Sequence, residues 1–338
     1  MKKKFNYETI IGIDISKKTL DICLTNNNEP IFQTKIDNTA QGLKSILKKL
    51  KSLHIRLEET LFCCENTGIY TSPLLFFAQK HTLNLWVENP LSIKKSLGLT
   101  RGKSDKADAH RIAQYAYRYQ DQYRRWTPAR ESIKNLETLW KRRKSVVKIQ
   151  NQLNNKLKEI KSMQGKTAYN QEKSAYKGIL QGIKKDITKI EKELKEAIVS
   201  DKELKHLHEI ITSVDGVGSV TATYLIVLTD GFKTLNNPRK LACYAGVAPF
   251  EHTSGTSVRG KQRTSSFANK ELKALLHLCT LSLLKTKNTF SDFIQRKKAA
   301  GKHMMPILNA LRNKLLHTIC ACVRKNEKYE ENYANSLA

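Results

Sequence analysis

The sequence predicts an α/β domain over residues 1–128. A long, basic helical coiled-coil hairpin follows over 129–204, then a mainly helical C-terminal domain over 205–338. Three observations predict this. Apolar, strand-like runs alternate with amphipathic helical stretches up to about Tyr119. Apolar residues at Tyr176, Leu180, Ile183, Ile187, Ile190, Leu194 and Ala197 step by four and three, the spacing of a heptad seam. Beyond 204, helical runs are broken by a glycine turn and by one long Gly/Ser/Thr-rich stretch.

Residues 8–26 read as two strands joined by a tight turn at Ser16–Thr19. The first, Ile10 to Ile15, is apolar on both faces except at Asp14, as a central strand would be. A carboxylate there costs several kcal/mol unless it is paired or bound to a metal. Lys17, Lys18 or backbone amides are the ordinary partners. A third strand at 31–37 and a helix from Gln41 to Leu50 follow. An apolar strand then runs into Glu65 and breaks at Asn66-Thr67-Gly68, with Thr71 as cap of the next helix and Pro73 in its first turn. Glu65 thus falls at the carboxyl end of a strand, where open α/β sheets place ligands. After a strand at Leu83–Glu88 and a turn at Asn89-Pro90, Ser104 is the expected N-cap of a helix to about Tyr119. Asp105 and Asp108, three apart, share a face of its first turn beside Lys103, Lys106 and Arg111. Their ordinary role is to favour the helix dipole; their chemical one is to hold a hard cation. The order β-β-β-α-β-α-β-α is that of a ribonuclease H-like fold, in which acids from the first strand, a later strand and a final helix meet at one metal site. Asp14, Glu65, Asp105 and Asp108 fit that plan in order and element type.

From Arg130 to about Leu204 lysine rises and proline vanishes. The heptad seam and an earlier helix carrying Leu136, Leu139, Ile149, Leu153, Leu157 and Ile160 predict an antiparallel hairpin with its loop near Ser162–Asn170. The seam does not say whether its contacts lie within or between chains. Next, a short helix, the Gly216-Val-Gly218 turn and a second helix resemble a helix-hairpin-helix, whose freed backbone amides receive a phosphate. A helix at Leu235–Cys243 leads to Tyr244–Ser266, a polar loop with four serines and with Arg259, Lys261 and Arg263, suited to phosphate contacts. Helices at 270–285 and Ile307–Val323 flank a basic link at Arg296–Lys302, and the residues from Arg324 read as frayed.

The charge narrows the function. Sixty Lys+Arg against 31 Asp+Glu give a formal net charge of +29 over 338 residues. Such a field attracts polyanions, nucleic acid first and an anionic membrane surface second. No stretch reaches the roughly 18–20 apolar residues of a membrane span. The first residues lack the apolar core of a signal peptide, and the seven cysteines form no CxxC pair. Reduced thiols packed in the cores of a cytoplasmic protein are expected.

Gly12-Ile-Asp14, Glu65-x-Thr-Gly-x-Tyr70, Asn89-Pro90, Lys103-Ser-Asp105-x-x-Asp108-Ala, Gly216-Val-Gly218, Ala245-Gly-x-x-Pro249 and Ser254-Gly-x-Ser-x-Arg-Gly260 together resemble one family. It is the DEDD transposases of insertion sequence family one-hundred-ten, which includes Piv-type DNA invertases. The resemblance implies that Asp14, Glu65, Asp105 and Asp108 bind Mg²⁺ (Mn²⁺ as alternative) in a RuvC-like domain. It implies that Ser254 is the catalytic serine of a C-terminal transposase domain. It further implies dimers that pair into tetramers with composite sites, and a bridge RNA that selects donor and target DNA. Two positions depart from the family pattern: Ser266-Phe-Ala-Asn269 replaces a Lys-x-Gly-Asn stretch, and Leu272-Lys273 replaces Leu-Arg.

The expected function is therefore site-specific DNA recombination, with a serine nucleophile beside a metal site. Two alternatives use parts of the same sequence. A metal-dependent nuclease of the Holliday-junction resolvase kind needs the acids but no serine. A non-catalytic nucleic-acid-binding protein explains the charge but leaves Asp14 and Glu65 without a role.

Overall fold

The computed structural model describes residues 7–96, 105–254 and 258–330, without the side chains of 105, 106 and 251–263. It divides into two compact units, Met1–Pro128 and Ala129–Ala338. The predictions for Lys103 and Ser104 lie outside the described residues, as do those for the side chains of Asp105, Ser254, Arg259, Lys261 and Arg263.

The first unit is built on a five-stranded sheet of order β3-β2-β1-β4-β5. Its strands are β1 (Thr9–Ile15), β2 (Thr19–Asn26), β3 (Glu29–Asp37), β4 (Thr60–Glu65) and β5 (Asn84–Glu88). The first three form an antiparallel meander; β4 and β5 join β1 in parallel. Period-two alternation sends successive side chains to opposite faces. Ile11, Ile13, Leu20, Ile22, Phe62 and Leu85 pack on one face, against α1 (Ala40–Ser52) and α2 (Ser72–Lys80). Ile10, Leu61, Cys63 and Trp86 pack on the other, against α3 (Pro90–Ser96) and α4 (Asp105–Arg118). Each fully buried aliphatic side chain contributes roughly 1.5–3 kcal/mol, so a core on both faces fixes the register.

Two local expectations change. Thr71 does not cap α2. Its hydroxyl instead accepts from the Thr67 amide at 3.1 Å, closing the turn after β4. Beyond Asn89, whose side chain receives the Leu91 amide at 2.9 Å, the chain forms α3 and not only a turn.

The second unit begins with α5 (Glu131–Met163), which runs antiparallel along α7 (Lys177–Ser200). Arg142–Glu193 and Arg143–Glu191 ion pairs join the two helices. The seam therefore finds its partner within the chain. Ile190 and Leu194 are buried and the seam residues nearer the tip are half-buried. No loop spans 162–170: α6 (Gly165–Ala175) occupies it, entered through Gly165 at φ +85°.

At the base of this arm, Ile133, Leu136, Trp140, Ile190, Leu194 and Ile198 share one core with the helices that follow. These are α8 (Lys202–Thr212), α9 (Ser219–Thr229), α10 (Pro238–Tyr244), α11 (Lys270–Leu283), α12 (Ser291–Ala299) and α13 (Met304–Lys325). Three expectations are corrected here. The polar loop forms an antiparallel hairpin, β6 (Pro249–Ser254) and β7 (Val258–Thr264). The basic link begins as helix α12. The described part of the tail is docked: the Tyr329 amide donates to Ser213 Oγ at 2.8 Å, and its ring stacks on Phe290. Among the described residues no helix is long and apolar enough to cross a membrane, and all seven cysteines are free thiols.

One buried contact couples this unit to pH. Arg312 of α13, 5% exposed, donates from Nη2 to His277 Nδ1 of α11 at 2.9 Å. Only an unprotonated Nδ1 can accept. Desolvation and the Arg312 charge accordingly hold the His277 pKa below its ordinary value. The unfolded chain then binds the extra proton first, so this contribution to stability is present above about pH 6.5 and is lost as pH falls through the folded value. Thermal melts at pH 7.5 and 5.5 should show a larger loss for the wild type than for His277→Gln, whose amide oxygen still accepts from Arg312.

Candidate active site

Asp14, Glu65 and Asp108 come together on the α4 face of the first sheet. Gly12 and Asp14 are two apart on β1 and so face the same side. A Cβ on Gly12 would stand 2.1 Å from the Ala109 carbonyl oxygen and 2.5 Å from the Ala113 nitrogen. The missing side chain is thus what lets α4 lie directly on β1, bringing its first turn over Asp14. On β4, Ile13 pairs with Cys64, so the parallel register carries Asp14 and Glu65 forward side by side. Burial raises the Glu65 pKa, and the Asp14 and Asp108 carboxylates raise it further. Asp108 accepts from Arg111 Nη1 at 2.7 Å, one turn further along α4. Three acids from three elements therefore share one electrostatic environment.

The row is longer than the sequence suggested. Asp21 pairs with Asp14 across β1/β2, and Glu88 pairs with Glu65 across β4/β5. Four strands thus present Asp21, Asp14, Glu65 and Glu88 side by side. The outer two are already engaged. Asp21, 3% exposed, lies 3.1 Å from Lys35 Nζ. Glu88 accepts from the Asn89 amide at 2.7 Å and from Tyr115 of α4, whose pKa desolvation and the Glu88 carboxylate drive up. Asp14 and Glu65 are the central pair of the row, with Asp108 the third acid in their environment. Their donors are all carboxylate oxygens, which is the ligand set of a hard divalent cation, and their mutual repulsion is what such a cation removes. Among the described residues no three His, Cys, Asp or Glu side chains stand at the spacing of a shared metal ion; the Asp105 side chain is not in that set. In chemistry the acids fit a divalent metal.

In the second unit, Ser254 is the last residue of β6, with its backbone paired to Val258. Arg259, Lys261 and Arg263 follow on β7. The hairpin grows from a polar platform. Asn269 caps α11 by accepting the Leu272 amide at 2.8 Å, and its Nδ2 donates to Tyr224 at 2.9 Å. Its own amide donates to the Tyr244 carbonyl at 2.7 Å. Lys273 reaches Thr264, at the foot of β7, at 3.4 Å. Gly246, at φ +65°, has the Ala268 Cβ only 2.4 Å from where its own Cβ would be. The Ala268 departure from the family pattern is therefore accommodated by a glycine opposite it.

The glycine turn splits into two roles. Gly216, at φ +76°, packs so tightly that a Cβ would meet Leu283 at 2.7 Å. Gly218 is the N-cap of α9 and has open space where a Cβ would be. Gly218, rather than Gly216, is on the side where a ligand can approach.

With this geometry in place, two family models match the chain. A transposase model of the IS110 DEDD type covers residues 11–160, and the Transposase IS116/IS110/IS902 family model covers residues 208–295. The chain belongs to the IS110 family of DEDD transposases. It is a DNA-cleaving and rejoining enzyme. The pilin gene-inverting protein of Moraxella bovis is 27% identical over 96% of this chain and 98% of its own length. The insertion element IS110 43.6 kDa protein of Streptomyces coelicolor is 29% identical over 37% of this chain and 30% of its own. Among solved structures, T. thermophilus RuvC in complex with Holliday junction substrate is 13% identical, with a TM-score of 0.25 over 33% of this chain and 96% of that one. That likeness is too slight to argue from.

Sequence reasoning missed several residues that shape this acidic cluster. Gly12, Asp21, Glu88 and Tyr115 went unassigned. For Asp21 a signal existed: a turn at Ser16–Thr19 pairs residue 14 with residue 21. For Tyr115 none did, because its contact with Glu88 depends on how α4 crosses the sheet.

Proposed function

We propose that the transposase cleaves DNA with Ser254 as nucleophile, assisted by divalent metal held by Asp14, Glu65, Asp105 and Asp108 in a RuvC-like, ribonuclease H-like domain at residues 1–128. The helical arm (129–204) and the C-terminal domain (205–338) complete the molecule. The observation that carries this reading is the raised Glu65 carboxyl between Asp14 and Asp108. A stable fold gains nothing from three mutually repelling acids, whereas a cation site needs them.

Bound Mg²⁺ would supply charge neutralisation at the scissile phosphate. The chain's own residues do the rest. Arg111 holds Asp108 in one rotamer. Lys35 and Tyr115 engage the outer acids of the row. Ser254 Oγ forms a bond to phosphorus as one bond from phosphorus to a sugar oxygen breaks, and the departing oxygen takes up a proton. The new phosphoester conserves the energy of the old one, so the strand can be rejoined to another end without a high-energy cofactor. Arg259, Lys261 and Arg263 on β7 would contact backbone phosphates, and the amides after Gly218 would receive another. The family resemblance supports guidance by a bridge RNA, assembly into dimers and tetramers with composite sites, and action in the cytoplasm.

Calorimetric titration of the full-length protein with Mg²⁺ tests the metal site. Because burial and the neighbouring acids raise the Glu65 pKa, binding measured down a pH series into the carboxylate range should release protons, seen as a heat that varies with buffer ionisation enthalpy. Glu65→Gln should lose that release and bind at least tenfold more weakly. Unchanged Mg²⁺ binding by Glu65→Gln would remove the basis for the assignment.

A further inference from the structure

The tip of the helical arm is larger than a hairpin needs. Two antiparallel helices are ordinarily joined by roughly 2–8 residues; here the 11-residue α6 is inserted between α5 and α7. Between α6 and α7 lies an open groove of about 490 Å³, lined by Asn170, Lys173, Ser174, Lys177, Leu180, Gln181 and Lys184. Its lining has three ammonium groups, two amides and a hydroxyl, one aliphatic side chain and no acid. The arm's ion pairs lie elsewhere: Arg142–Glu193 and Arg143–Glu191 toward the base, and Lys192–Glu196 on another face. Among the described residues none of the three groove lysines is ion-paired. Lys173 is steadied by Tyr169, whose ring lies 5.5 Å from its Nζ; on the same ring Lys161 sits at 5.6 Å.

On α7, Lys177, Leu180, Gln181 and Lys184 are spaced by three, one and three, so they form one stripe. Ile179, 53% exposed, is two residues from Lys177 and points to the other side of the helix. The groove's functional groups are therefore cationic and polar, set among lysine stems and Leu180, and the exposed Ile179 does not belong to it. Unpaired lysines with hydrogen-bonding amides match a row of phosphates and do not match another copy of a chain carrying +29.

We infer that this groove is a docking site for the backbone of duplex DNA flanking the recombining site. Duplex DNA is the polyanion that a DNA-cleaving and rejoining enzyme must handle. From Trp140, in the core at the arm's base, to Met163 at the tip, α5 rises about 35 Å. That is roughly ten base pairs of duplex at about 3.4 Å each. The tip thus holds DNA about one helical turn from wherever the base of the arm sits on it, contributing affinity and orientation without contacting the scissile phosphate.

The test uses full-length protein and random-sequence duplexes of about 20 and about 60 base pairs, with binding followed by anisotropy across a salt series. Wild type should bind the longer duplex more tightly than its added sites explain. The Lys173→Gln/Lys177→Gln/Lys184→Gln variant should lose that advantage, and its slope of log affinity against log salt should fall by about two to three. The Lys185→Gln/Lys189→Gln/Lys192→Gln variant removes the same charge from another face of α7 and should retain the length advantage. All six side chains are exposed, so melting transitions should coincide. Equal behaviour of the two triple variants would overturn the inference. So would a groove variant that leaves duplex binding intact but changes the subunit mass, which would make the groove a contact between copies. A loss confined to an RNA hairpin probe would also overturn it. None of these outcomes depends on Ser254 or on the acids.

Discussion

Asp14→Asn is expected to reduce strand cleavage by about 10³-fold or more while leaving the folded protein and its DNA binding intact. The substitution keeps the size of the side chain, so Gly12 still seats α4 on β1 and the register with β2 and β4 is preserved. What changes is charge. Asp14 is one of the two carboxylates that raise Glu65, so removing it should move the Glu65 titration down toward the ordinary carboxylate range. Together, lost cleavage and a lowered Glu65 pKa separate a chemical role from a structural one. A cleavage rate within about tenfold of wild type would show that the central acids do not carry the chemistry. DNA binding by this variant should keep its steep salt dependence, because the charges responsible are the many Lys and Arg.

Ser254→Ala is expected to abolish covalent protein–DNA products and rejoining, with Mg²⁺ binding unchanged. Removing a nucleophile that acts together with other groups typically costs about as much as removing them all, on the order of 10⁶-fold. Ser254 ends β6 opposite Val258, so replacing its side chain does not disturb the strand pairing, which is made by backbone. The platform of Tyr224, Asn269 and Lys273 beneath the hairpin is also untouched. A loss of activity in Ser254→Ala therefore cannot be charged to a collapsed hairpin. The two variants differ in a useful way. Asp14→Asn should lose metal-dependent chemistry but keep its hydroxyl, whereas Ser254→Ala keeps the acids and lacks an attacking atom. If water attacked instead, only the first substitution would matter.

The first sheet was largely legible because its strands carry their own register. Alternation in β1, a short turn at Ser16–Thr19 and an apolar β4 ending at Glu65 follow from local chemistry. The convergence of Asp14 with Glu65 is then a matter of counting along parallel strands. The approach of α4 was not legible. A glycine at position 12 signals only that some backbone comes close; that Ala109 and Ala113 do so is tertiary information. The arm was read as two helices because its apolar steps are regular, but α6 was missed. Its residues are polar and lysine-rich, with no apolar period to mark a helix. The β6–β7 hairpin was read as a loop for a similar reason: glycine, serine and threonine are frequent in it, and no alternation of apolar residues marks a strand. The tail from Arg324 looked solvated until Ser213 and Phe290, more than a hundred and about forty residues earlier, supplied its docking site.

The most direct test of the serine-and-acid assignment is to find the atom that holds DNA. Full-length protein incubated with Mg²⁺ and a cleavable DNA substrate is quenched under denaturing conditions, digested with protease and nuclease, and mapped by mass spectrometry. A nucleotide carried on the peptide containing Ser254, absent without Mg²⁺ and absent in Asp14→Asn, is the predicted result. Cleaved DNA with free phosphate ends and no nucleotide on any peptide would contradict it, and would mark the transposase as a hydrolytic nuclease.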